Sequence, residues 1–188
     1  MKKLFCTIII GMMLTAFNQF VLAKDYSAIT KNPKIIQALD ALDRINRDDV
    51  LAILNGHNTT NKPIRIMFRE LEVYGLSNCE AVTMQTKDGG RVIFIAKKHE
   101  TAPAEAIASL IAHESQHHPM AGTKVEEARA WVTEISTWNA FVRNNSSLAS
   151  TQSSLTKRLN YISRLYNTQG ESKIKSIIAQ NPVYAGLN

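Results

Sequence analysis

Four side chains able to handle protons and metal ions stand together in the stretch "AHESQHH": His113, Glu114, His117 and His118. Histidines four apart on a helix place two imidazoles one turn apart, within reach of a single Zn2+ at about 2.0–2.1 Å each. A glutamate directly after the first histidine projects between them, toward a water at the ion. There it can take the water's proton during attack on a carbonyl and later pass it to a leaving amine. That chemistry needs a helix, an inward-facing glutamate and a third ligand, and the neighbouring sequence bears on all three.

The segment "APAEAIASLIAHESQHHP" reads as a helix from Pro103 to His118. Pro103 and Glu105 suit its start and Pro119 its end. With Glu114 as the zero direction, Ile107, Leu110 and Ile111 fall at about +20°, −40° and +60°. His117 and His113 lie on the same side, at about −60° and −100°. Glu114 therefore points along the apolar stripe, with Glu105, Ser109, Ala112 and Gln116 opposite. An unpaired carboxylate aimed into a core is costly, so this one needs a partner or a task.

A catalytic zinc takes a third protein ligand. Continuation of the helix with glycine at 120 and histidine at 123 does not match, since Met120 and Thr123 stand there. An aspartate two residues after Gly122-Thr123 is also missing, because Val125 occupies that position. A glutamate from the following helix fits best. "GTKVEEARAWVTEISTWNAF" opens with a capping box, Thr123 at the N-cap and Glu126 at N3, which gives Glu126 a local role. Glu127 has none, and Trp131, Glu134, Trp138 and Phe141 lie within about 40° of it on an apolar face. Glu127 is the expected third ligand, with Glu126 the other candidate.

His113-Glu114-Ser115-Gln116-His117, followed by Glu127-Ala128-Arg129-Ala130, resembles the gluzincin group of zinc metallopeptidases, within it small members whose second motif is a Glu-Ala-x-Ala helix. The resemblance implies a zinc ion on His113, His117 and Glu127, with Glu114 as general base and acid. It implies hydrolysis of a peptide or protein substrate and a zincin-like active-site helix followed by a helical C-terminal half. It also suggests that the preceding strand "RVIFIA" is an edge strand holding an extended substrate. The chain departs from the larger members in the short interval between His117 and Glu127 and in Trp131, where acidic or serine residues often follow the third ligand. Candidates for a transition-state donor are His118, Tyr161, Tyr166 and Tyr184.

The elements that must position these residues are read from periodicity. "NPKIIQALDALDRINRDDVLAIL" has helical spacing with a break near Arg47-Asp48. Alternation in "PIRIMF" and "CEAVTMQT" and the apolar run "RVIFIA", with Lys87-Asp88-Gly89-Gly90 as a hairpin turn, predict a small, mostly antiparallel sheet from about Pro63 to Ala96. Helices over Lys124–Arg143, Thr151–Asn167 and Ser172–Gln180 complete an α+β domain.

Residues 1–23 read as a signal peptide: Lys2 and Lys3, an apolar run to about Phe17, then Val21-Leu22-Ala23. An exported bacterial-type protein, periplasmic or secreted, would begin at Lys24 as one domain, residues 24–188, with a helical extension from about 144 and no membrane span. Losing two lysines takes the net charge from +6 to +4, too diffuse to argue for nucleic acid. Cys79 is then left alone, with no internal disulfide, and is expected as a buried thiol. His57 and His99 fall in or beside loops. The alternative to an enzyme is a non-catalytic, zinc-stabilised binding or adaptor protein of the envelope, a pseudo-peptidase.

Overall fold

Local signals in the sequence set most helix boundaries. A computed structural model of the protein describes residues 24–118 and 122–187, so the leader expected at 1–23 lies outside the described residues. Helix α1 runs Pro33–Arg44, with Asn32 accepting hydrogen bonds from the backbone of Lys34 and Ile35. The break near Arg47 is real: Asn46 adopts a φ of 57°, and α2 follows over Asp48–Leu54. Three strands come next, β1 (Arg65–Arg69), β2 (Ala81–Gln85) and β3 (Arg91–Ala96). Then come α3 (Ala104–Ser115), α4 (Lys124–Asn144) and α5 (Ser154–Gln180). α5 is kinked at Gly170, whose φ of 74° suits glycine. The architecture is α+β, and no described helix is long and apolar enough to cross a membrane.

The sheet differs from expectation. Its order is β1-β3-β2, with β2 antiparallel to β3 but β1 parallel to it. It is thus mixed rather than mostly antiparallel. The connection from β1 passes through a 3-10 turn at Leu71–Tyr74 and the β2 hairpin before β3 arrives, which lets β3 run alongside β1 in the same direction. β3 is consequently the central strand and not the edge. Its near-continuous apolar run is the pattern of a strand covered on both faces. Among the described residues, β2 is an edge strand of the sheet.

α3 is the middle of the molecule. Every residue from Ala106 to Ser115 is buried, including Ser109 and Ala112 on the face opposite Glu114. α1 and α4 pack along it, with further contacts to β2, β3, α2 and α5. A helix covered on all sides satisfies its polar groups internally: the Ser109 and Ser115 hydroxyls donate to the carbonyls of Glu105 and Ala112.

At the start of β2, Glu80 pairs with the buried His99 and with Lys98. The His99 hydrogen bond, aided by Lys98, outweighs burial and holds the Glu80 carboxyl down at about 2.

Two outcomes follow for stability. Ile107→Ala, at a site with no exposure, should cost about 2–5 kcal/mol in denaturant unfolding. Because the Glu80 carboxyl is held below its ordinary 4.5, its stabilising contribution is complete above that pH and is lost as pH falls toward 2. Urea unfolding of Glu80→Gln should therefore show a deficit against the natural protein near neutrality that closes over this acid range.

Candidate metal centre

The last turn of α3 and the first turns of α4 bring the predicted residues together. α3 ends at Ser115, short of the expected His118. His117 follows through a tightened turn in which its N–H reaches the Glu114 carbonyl at 3.3 Å. The backbone carbonyl of His117 is in turn held by the buried Arg91 guanidinium. His117 thus leaves the helix yet still turns its ring toward His113.

The two Nε2 atoms meet at 3.1 Å. Glu127 reaches them with one oxygen each, at 3.7 Å from His113 Nε2 and 3.5 Å from His117 Nε2. One ligand atom from each of the three side chains falls within 4.8 Å of the others. Tetrahedral zinc with Zn–N distances of about 2.0–2.1 Å sets neighbouring donor atoms about 3.3 Å apart, so this donor set fits that ion. Two histidines with one glutamate is a ligand set that catalytic zinc takes.

The opposite nitrogens are each turned onto a carboxylate. His117 Nδ1 lies 3.1 Å from Glu126 Oε1. His113 Nδ1 lies 3.2 Å from Glu134 Oε2, close enough for a hydrogen bond but bent from its ideal line. A protonated Nδ1 facing a carboxylate leaves the Nε2 lone pair free for a metal. With both Nδ1 atoms protonated the two Nε2 lone pairs converge on one point; with either Nε2 protonated the same contact is an N–H···N hydrogen bond.

Glu126 corrects one expectation. Thr123 caps α4 by accepting from the Glu126 N–H at 3.0 Å. The Glu126 side chain does not close the capping box; it takes His117 Nδ1 and the backbone N–H of His118, the latter at 3.0 Å. Glu127 is the carboxylate whose oxygens converge with the two Nε2 atoms.

Glu114 is buried and sits beside the convergent donors. The hydroxyl of Thr83 on β2 lies 2.8 Å from its Oε2 and 2.9 Å from its backbone carbonyl. Glu127 is held by the Trp131 indole, whose Nε1–H donates to Oε1 at 2.8 Å. Tyr184, in a 3-10 turn after α5, lies beside the same carboxylate; burial and then the Glu127 charge push its phenol well above the ordinary value. For His113, burial pushes the imidazolium down, and the carboxylates of Glu134, Glu114 and Glu127 more than offset it, raising its pKa.

These groups open on a cavity of about 580 Å3, bordered on one side by Ala81, Val82 and Thr83 of the edge strand β2. Of the four residues considered as transition-state donors, Tyr184 lines it by its side-chain site, whereas Tyr161 is exposed on α5 and Tyr166 packs against the core. His118 borders the cavity but is exposed, and its contact to Glu126 is made by its backbone. His57 is exposed and His99 belongs to Glu80. Cys79 is half-buried at the cavity wall rather than in the core; burial, then Glu114 and Glu80, push its thiol up, which opposes thiolate chemistry.

Glu134, Arg158 and Thr83 are the participants that sequence reasoning missed. Glu134 is completely buried, with both oxygens on the Arg158 guanidinium of α5. Burial raises its pKa, but Arg158 and His113 outweigh that and hold it well below the carboxylate range. Its inward position on the α4 wheel was a signal available beforehand.

Comparison with protein-family models, curated proteins and solved structures gives no match to this chain. The functional reading therefore rests on the site itself.

Loss of a carboxylate behind a ligating histidine weakens metal binding by about 10–100-fold. Glu126→Ala should do so in zinc competition against a chelator, while His57→Ala leaves the affinity unchanged.

Proposed function

We propose that this chain is an exported, zinc-dependent peptidase of gluzincin type. His113, His117 and Glu127 hold the ion, and Glu114 is the general base and acid. The observation that carries the reading is the approach of two imidazole Nε2 atoms to 3.1 Å with their Nδ1 atoms on Glu126 and Glu134. The point between the two Nε2 atoms takes a proton or a metal cation, and the convergence of a third donor, Glu127, on the same point favours the metal.

Zinc held there supplies Lewis-acid polarisation of a carbonyl and a water acidic enough to attack near neutral pH. The protein supplies the rest. Glu114, oriented by Thr83, takes a proton from the attacking water and delivers it to the leaving amine. Tyr184 stands by Glu127 with a phenol that burial keeps protonated, the state in which it can donate to a developing oxyanion. Among the described residues β2 is an edge strand of the sheet and borders the cavity, which suits an extended peptide added as a further strand.

Two substitutions test this. His113→Ala should remove stoichiometric zinc from the purified protein. Glu114→Gln should keep the zinc and lower kcat/KM on a peptide library by about 10²–10⁴-fold, the range of general acid–base catalysis. A natural chain that binds zinc yet cleaves no member of the library would favour the non-catalytic binding protein instead.

A further inference from the structure

We propose that Arg158 is a positioning residue that sets two of the three metal ligands at once, and that this is what α5 contributes to the centre. The inference rests on the zinc reading above and extends it to residues beyond the motif.

Arg158 reaches the site from a different helix. Its guanidinium grips Glu134 with both terminal nitrogens, Nη1 on Oε1 and Nη2 on Oε2 at 3.1 Å. Glu134 Oε2 continues to His113 Nδ1 at 3.2 Å. The same guanidinium lies over the Trp131 ring, 5.5 Å from its centre. That indole donates to Glu127 Oε1 at 2.8 Å. One planar cation therefore bears on His113 through a carboxylate and on Glu127 through an indole.

Arginine's chemistry suits this double task. Its rigid fork matches a carboxylate bidentately while its flat face stacks on an aromatic ring. Glu134 is completely buried, so its charge depends on a partner that is equally fixed. A lysine would retain the charge but lose both the fork and the stacking plane. His117 is supported separately by Glu126 and lies outside the reach of this node.

The test uses the full chain loaded with Zn2+ alone or Co2+ alone. Arg158→Lys and Arg158→Met are compared with Leu159→Ala, a fully buried position next door that destabilises α5 packing without touching the node. Both Arg158 variants should bind zinc about 10–100-fold more weakly and show shifted visible bands in the cobalt form, as expected of disturbed outer-sphere support. Adding Glu134→Gln to Arg158→Met should cost little more, because the two act along one path. Leu159→Ala should lower Tm yet leave zinc affinity and cobalt bands as in the natural protein. If Arg158→Met does not fold, Arg158→Lys carries the comparison. Natural affinity and bands in the Arg158 variants, or an equal change in Leu159→Ala, would overturn the role of Arg158 with the zinc reading intact. A natural chain that binds neither metal overturns both.

Discussion

Two imidazole Nε2 atoms held 3.1 Å apart in a buried site are the constraint on which this structure turns. His113 and His117 each present Nδ1 to a carboxylate, which favours a proton on that nitrogen. Two imidazole nitrogens at 3.1 Å need a proton or a metal cation between them. The fold maintains the approach through α3, which is immobilised on every side by packing. The neighbouring helix α4 starts close enough to deliver Glu126, Glu127 and Glu134 along successive turns.

That concentration of carboxylates creates a second demand. Glu114, Glu126, Glu127 and Glu134 are all buried, and each buried charge requires hydrogen-bonding partners. The partners come from distinct parts of the chain: Thr83 from the sheet, the backbone of His118 from the turn, Trp131 from α4 itself, and Arg158 from α5. The surrounding elements thus serve the site chemically as well as by covering it.

The sequence revealed the part of this arrangement that lies within single helices. A period of 3.6 residues placed Glu114 and Glu127 on inward faces, and the Thr123 cap forms as its spacing suggested. Glu134 was visible as an inward glutamate, but its role depends on Arg158, which lies 24 residues further along, and on the crossing of α4 and α5. Thr83 lies 31 residues before its partner. No local pattern encodes such meetings. Strand direction escaped for a related reason. Alternation shows that a strand exists and which face it buries, whereas the parallel pairing of β1 with β3 follows from the path of the chain between them. The end of α3 was misplaced because the backbone tightens after Ser115, which shortened the helix while leaving the ring of His117 in place.

The kink at Gly170 has a consequence in time as well as in space. It turns the chain so that the segment carrying Tyr184 returns to Glu127, having already passed the centre once at Arg158. All three donors and Glu114 have emerged by the middle of α4, but two of their supports are supplied only by the last quarter of the polypeptide. A chain made or threaded from its N-terminus therefore displays the donors before it can hold them in place. Assembly of the centre is a late event, tied to arrival of the final helix.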